Sequence, residues 1–215
     1  SLEFDGVNDF VDLGDASTYF HYSVGDFDNH GVTVAAWVYL EASSSTAGYP
    51  ILSIGRENNK FYGWRCHVNP QDKIQMDFYG ENGEGGGFGQ TGNHRKSAIS
   101  TPTLQTITGT SGLNEWHMMA WQFSGSNHTS WSMYVDGEQV ANSTSGNADA
   151  VLTYSGDSFI GRLGKTNLAT EKYLEGAVSN LGIWNTNLTP SAIKSIYNDG
   201  NPLNYQTSSF KYIET

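Results

Sequence analysis

The sequence predicts an all-β sandwich, and three observations carry that prediction. Short strand candidates alternate with breaks rich in Gly, Asn, Asp and Ser, the pattern of stacked antiparallel sheets rather than of an α/β fold. Aromatic residues make up 13% of the 215 residues and glycine occurs 25 times, a mix suited to strands, tight turns and flat apolar surfaces. Third, Trp131-Ser-Met-Tyr-Val-Asp136-Gly137-Glu-Gln-Val140 reads as a hairpin: alternating residues, an Asp-Gly turn and a return strand.

The elements follow in order. The first strand candidate runs over residues 2–13. Next comes 32–40, whose two faces carry Val32, Val34, Ala36, Val38 and Leu40 against Thr33, Ala35, Trp37 and Tyr39. Both faces are largely apolar, which places this strand mid-sheet with cover on each side. Segments 51–54, 61–68 and 73–79 are further candidates. Residues 80–100 form the longest irregular stretch, with the glycine run 80–89 followed by Asn93-His94-Arg95-Lys96. Loops of such length are often functional. The glycines do not make a phosphate cradle, because no Gly-Lys-Ser/Thr follows them and no strand–helix context surrounds them. Segment 116–123 is apolar on both faces like 32–40. The hairpin supplies 131–135 and 138–142, and 158–161 and 174–184 complete the strands. One helix is predicted, capped by Thr189, with Pro190 in its first turn, an apolar stripe of Ile193, Ile196 and Tyr197, and a stop at Asn198-Asp-Gly200. The domain is expected over residues 1–204, with 205–215 as a tail or linker.

Charge and cysteine content narrow the function. With 22 acidic and 11 basic residues the net charge is −11, which disfavours nucleic acid and anionic lipid as partners. The longest apolar run, 34–40, is too short to span a bilayer, so no membrane insertion is expected. Cys66 is the sole cysteine; no intrachain disulfide can form, and its apolar setting predicts an inert buried thiol.

The order of landmarks resembles the laminin-G-like branch of the concanavalin A-like lectin/glucanase superfamily. It runs from Phe4-Asp5-Gly6 with Asp9-Phe10-Val11, through Val32–Val38, Ile51–Gly55, Glu115-Trp116-His117 and Tyr134-Val-Asp136-Gly137, to Phe159-Ile-Gly161, Leu174-Glu-Gly176, Ile183-Trp184-Asn185 and Leu188–Ile193. The resemblance implies a jelly roll of two curved antiparallel sheets with one short C-terminal helix. The closing Ile196-Tyr197-Asn-Asp-Gly200-Asn-Pro202-Leu203 resembles the ends of such domains in phage and marine-virus structural proteins and bacterial surface proteins. An extracellular, cell-surface or virion setting is the matching expectation.

Related retaining glucanases carry Glu-x-Asp-x-x-Glu on one strand, which sets carboxylates about 5 Å apart on one face. Here Glu3-Phe-Asp5-Gly6-Val7-Asn8 lacks the closing Glu and sits at the N-terminus. Paired-carboxylate catalysis is therefore not expected. His117, beside Trp116 in an apolar strand, reads as a packed or hydrogen-bonded histidine. His67 and Cys66 point to opposite faces and cannot pair. The six histidines lack zinc-ligand spacing. Calcium is expected more readily: laminin-G-like domains often bind it, and Asp5, Asp9, Asp12 and Asp15 cluster early, with Asp9 and Asp15 as candidate ligands.

The leading expectation is a non-catalytic carbohydrate-binding domain of a larger protein. Sugar C–H faces pack on aromatic rings while planar polar groups bond hydroxyls. Candidates are Tyr62, Trp64, Arg65, Tyr79, Asn82, Phe88, Asn93, His94 and Arg95. Trp37, Trp116 and Trp184 fall on positions the resemblance assigns to the core, and Trp131 is balanced between core and surface. The rival is an assembly module whose loops and tail bind other protein subunits. An atypical glycosidase ranks third.

Overall fold

The computed structural model describes residues 1–16, 31–41, 48–56, 63–79, 95–124, 128–146, 159–166 and 172–202. The strands are β1 (Leu2–Asp5), β2 (Val11–Asp15), β3 (Val32–Leu40), β4 (Tyr49–Arg56), β5 (Gly63–Val68), β6 (Ile74–Tyr79) and β7 (Arg95–Ser100). After the short helix α1 (Leu104–Thr108) come β8 (Trp116–Phe123), β9 (Ser132–Val135), β10 (Glu138–Val140), β11 (Asn142–Gly146), β12 (Phe159–Leu163), β13 (Glu175–Trp184) and helix α2 (Pro190–Tyr197). Two antiparallel sheets result: a six-stranded one ordered β1-β13-β3-β8-β9-β10 and a seven-stranded one ordered β11-β7-β6-β5-β4-β12-β2. This is the sandwich the sequence predicts. The tail or linker expected over 205–215 lies outside the described residues.

The core fills the space between the sheets. β3 and β8 contribute Val34, Val38, Met119, Trp121 and Phe123; β4, β5 and β6 contribute Leu52, Ile54, Trp64, Cys66 and Met76. Rings interlock there. Trp64 lies 4.9 Å from Phe123 between centroids, and Trp131 meets Phe123 edge-on at 5.1 Å and Phe78 at 6.2 Å. The second apolar face of β3, which the sequence shows, is covered by α2. Ile193 and Ile196 pack on Ala35, Trp37, Met118, Ala120 and Tyr134, and Tyr197 stacks on Trp37 at 5.7 Å and 22°. Thr189 caps the helix, its hydroxyl oxygen accepting from the Ala192 amide at 3.2 Å. The lead-in is pinned to the sheet, because Thr33 Oγ1 donates to the Thr186 carbonyl and accepts from the Leu188 amide.

Four elements depart from the expected ones. Segment 2–13 is two strands in different sheets, broken where Asp5 Oδ1 accepts from the Val7 and Asn8 amides and Gly6 takes φ +76°. Residues 95–100 are not loop but β7, paired between β6 and β11. The chain crosses between sheets at Ala141, so 138–142 divides into β10 and the start of β11. Helix α1 was not expected; Thr103 caps it and Gly109 closes it in the left-handed conformation. By contrast the Asp136-Gly137 hairpin is as predicted, with both residues at positive φ, +50° and +80°, as a type I′ turn demands.

Candidate functional site

Alternation along β5 to β7 sends one set of side chains into the core and leaves the other on the outer face of the seven-stranded sheet. Trp64, Cys66, Val68, Ile74, Met76, Phe78 and Ala98 go inward. Arg65, His67, Gln75, Asp77 and Ser97 go outward, with Arg65 opposite Asp77 and Asp77 opposite Ser97. The outward set is also buried.

Asp77 organises this layer. Its carboxylate is 0% exposed, a placement a charge tolerates only when paired and hydrogen-bonded. Oδ2 accepts from Arg65 Nε at 2.7 Å, contacts Arg65 Nη2 at 2.6 Å and lies 3.0 Å from His67 Nε2. Oδ1 accepts from Gln75 Nε2 at 2.8 Å and from Ser97 Oγ at 2.5 Å. Gln75 is oriented in turn: its Oε1 accepts from Asn69 Nδ2 at 2.8 Å, and Asn69 Oδ1 accepts from the Gln71 and Lys73 amides of the β5–β6 turn. The polar floor is thus built from a turn, two neighbouring strands and β7. The arrangement positions donors and shields them from bulk water. Cys66, on the same strand as Arg65 and His67, faces the core instead, where burial first, and the nearby Asp77 charge second, push its thiol well above its ordinary range.

Toward β12 and β2 the same sheet carries further cations. Arg162 pairs with Ser53 in register, and Ser53 Oγ donates to the Lys165 carbonyl at 2.6 Å. Lys165 Nζ sits 4.6 Å from the Phe10 ring centre and 5.1 Å from that of Tyr173. A chain of charge −11 therefore gathers Arg65, His67, Arg162 and Lys165 on or beside one sheet.

Of the residues the sequence nominates, Arg65 lies at the centre of this floor. Trp64 does not: it is 2% exposed between the sheets, so its ring cannot serve as a sugar platform. The signal was present in the sequence, since Trp64 alternates with Cys66 and Val68. Trp131 is core as well. Trp116, expected in the core, is 40% exposed; it shares a face with Met118 and Ala120 but stands beyond the residues that α2 covers. Tyr79 and Arg95 are register partners at the end of the β6–β7 ladder, and their side chains lie outside the described residues. Tyr62, Asn82, Phe88, Asn93 and His94 also lie outside them. Gly55, Gly63, Tyr79 and Arg95 occupy one end of the sheet in register, so connections 57–62 and 80–94 both leave from that end. Sequence reasoning missed Asp77, His67, Gln75 and Ser97, whose partnership exists only once strand register is known.

The calcium expectation was tested on the early aspartates. Asp5 Oδ1 and Asp12 Oδ1 accept turn amides, Asp9 Oδ2 accepts from the Asp5 amide at 3.2 Å, and Asp15 ends β2 opposite Ile160. Among the described residues no three His, Cys, Asp or Glu side chains come together to hold a metal.

A second polar contact fastens β8 to the hairpin turn. His117 Nδ1 lies 2.7 Å from Asp136 Oδ2, and Asp136 Oδ1 accepts from the Met118 amide at 2.9 Å. His117 Nε2 is 3.4 Å from Glu115 Oε1 and has no hydrogen bond. Burial works against protonation of the imidazole, but the two carboxylates outweigh it and raise the His117 pKa. This is the hydrogen-bonded histidine the sequence suggests.

Comparison with solved structures places the fold. The chain is similar to Trypanosoma rangeli sialidase, at 17% identity and TM-score 0.56, over 91% of this chain and 27% of that one. It is similar to the heptameric SAP-like pentraxin of Limulus polyphemus, at 12% identity and TM-score 0.52, over 91% of this chain and 80% of that one. It is also similar to the Ruminococcus gnavus IT-sialidase CBM40 bound to α2,3-sialyllactose, at 12% identity and TM-score 0.54, over 91% of this chain and 97% of that one. At such identities the likeness concerns the fold. The chain spans about a quarter of the sialidase it matches. No curated protein matches it by sequence. A family profile described as the concanavalin A-like lectin/glucanases superfamily matches residues 5–194. The chain therefore belongs to the laminin-G-like branch of the concanavalin A-like lectin/glucanase superfamily.

Proposed function

We propose that this lectin-like domain binds carbohydrate without catalysis, on the outer face of its seven-stranded sheet, as part of a larger extracellular, cell-surface or virion protein. The observation that carries the reading is the Asp77-centred floor. A domain that needed only stability would cover this face with apolar side chains, as it covers the other. Instead it places Arg65, His67, Gln75 and Ser97 in fixed positions on a buried anion. Such an ordered polar layer holds the residues around it in place, and a fixed surface suits hydroxyl-rich ligands, whose many groups must be bonded at once. The connections 57–62 and 80–94 leave from one edge of the floor, and they hold most of the aromatic and amide side chains that the sequence nominates. The CBM40 of similar fold, bound to sialyllactose, supports the reading by analogy only.

A non-catalytic role agrees with the chemistry. Asp77 is committed to four neighbouring side chains, so it is not poised to trade a proton. The sequence also lacks the three-carboxylate strand motif of the related glucanases.

A glycan array followed by NMR titration with each hit tests the proposal. Amide shifts confined to β4–β7 and their connections, with binding lost in Arg65→Lys, are expected. An array with no hit, or shifts that map to the α2 side, removes it. Release of reducing sugar from a hit would make the domain an enzyme.

A further inference from the structure

The opposite sheet carries an aromatic pair, half-buried Tyr39 and exposed Trp116, that neither the core nor the glycan reading uses. Tyr39 and Trp116 are register partners on β3 and β8, with ring centres 5.6 Å apart and planes at 52°. Trp116 is 40% exposed, the largest apolar side chain among the exposed described residues. They share the outer face of the six-stranded sheet with Trp37, which α2 covers; the pair lies past the residues that pack on the helix. The same register row continues through Ala177 to Glu3. Ala177, itself buried, stands between Tyr39 and Glu3 in that row.

The adjoining row is wholly acidic across three strands. Asp5 pairs with Glu175, and the Glu41 amide donates to the Glu175 carbonyl, which sets Glu41 beside Glu175. By two-residue alternation, Asp5, Glu175 and Glu41 face the same side as Glu3, Tyr39 and Trp116. Like charges on neighbouring strands oppose folding. None of these four carboxylates makes an ion pair with a described residue. Three are exposed and Glu175 is half-buried. Asp5 is held ionised, its pKa lowered first by the Val7 amide and then by that of Asn8.

We infer that this patch docks an arginine-bearing segment of a partner protein. One guanidinium can stack on the Trp116 face while neighbouring arginines of the same segment meet the carboxylates farther along the sheet, a combination that neither an apolar segment nor a neutral sugar exploits. The acidic row supplies steering as well as contacts. This surface is independent of the glycan floor.

The test uses a peptide with four arginines spaced by glycine and serine, and an otherwise identical citrulline peptide as the neutral control. The readouts are intrinsic tryptophan fluorescence and NMR. The arginine peptide is expected to shift β1, β3, β8 and β13 amides. Its binding should weaken about tenfold in Trp116→Ala, between the values of an exposed and a desolvated cation–π contact. It should weaken similarly in Glu3→Gln/Glu41→Gln, a pair of exposed changes that keep the fold. Raising salt from roughly 50 to 300 mM should lower affinity, and Arg65→Lys should leave it unchanged. Equal binding of the citrulline peptide, or indifference to both variants, overturns the inference. So does a neutral oligosaccharide that shifts the same amides while the arginine peptide does not.

Discussion

The outer faces of the two sheets are both buried at their centres, by opposite means. On the six-stranded sheet, Ala35, Trp37, Met118, Ala120 and Tyr134 are covered by Ile193 and Ile196 of α2. On the seven-stranded sheet, Arg65, His67, Gln75 and Ser97 are buried around a carboxylate. The first solution is forgiving, because apolar contacts are non-directional and each contributes by area. The second is all-or-none, because removing one member leaves others unsatisfied in a poorly solvated layer. The contrast teaches where specificity is stored. A helix suffices to shield a sheet; an ordered polar layer is justified when its donors have a task.

The largest effect should come from the polar face. Asp77→Ala removes the carboxylate that Arg65, Gln75 and Ser97 bond, a loss of about 3–5 kcal/mol by analogy with other broken buried pairs. For a domain of this size that corresponds to a melting temperature roughly 10 °C lower. Thermal denaturation followed by circular dichroism measures it. Asp77→Leu with Arg65→Met should recover most of the loss, since an apolar replacement of the pair removes both unmet charges. Recovery of stability without recovery of glycan binding would sharpen the comparison. No loss in Asp77→Ala would break it.

On the helical face the deletion of one packed side chain should cost less. Ile193 is fully buried under the helix, and Ile193→Ala is expected to lose about 2–4 kcal/mol in urea unfolding, with binding intact. Thr189→Ala removes the cap that accepts from the Ala192 amide and should lose about 1 kcal/mol. A larger loss from Thr189 than from Ile193 would mean that α2 is held by its end rather than by its face.

How much of this was legible follows the same division. β3 and β8 could be read to the residue, because an apolar signal on both faces survives without knowledge of neighbours. The Asp136-Gly137 turn and the Thr189-Pro190 helix start were legible because each is a local backbone requirement. β7 and β11 were not: Arg95–Ser100 and Asn142–Gly146 are polar, short and stabilised by pairing rather than by side-chain pattern. The break at Gly6 hid inside a run that alternates well on both sides. Arg65 was nominated for the site, but its partner Asp77 was passed over, since the two meet only through the register of β5 on β6. Trp64 could have been read, since it shares a face with Cys66 and Val68, but the exposure of Trp116 could not. Composition cannot say how far along a strand a covering helix extends.

The smallest effect concerns the polar contact of His117 with Asp136, and it sets pH dependence apart from packing. His117 has a folded-state pKa above its ordinary value: burial opposes the charge, but Asp136 and Glu115 outweigh it. A raised pKa means that the folded state holds the proton more tightly. The stabilisation is complete below the unfolded value of about 6.5 and is lost as pH rises through the folded value. Glu115 is shifted the other way, its pKa lowered first by the Thr110 hydroxyl and also by His117. Its contribution is present above the ordinary glutamate range and fades as pH falls through the depressed value. Stability should therefore fall from mildly acid to alkaline pH by the His117 component, with a separate decline in stronger acid. Melting temperatures of wild type and His117→Gln, compared point by point from about pH 5 to 9, isolate this component from the other histidines. The wild-type advantage should shrink as pH rises and level off once the imidazole is neutral. An advantage that stays constant across that range would mean that His117 acts by shape and its neutral hydrogen bond to Asp136 alone, and that the carboxylates around it contribute no charge-linked stability.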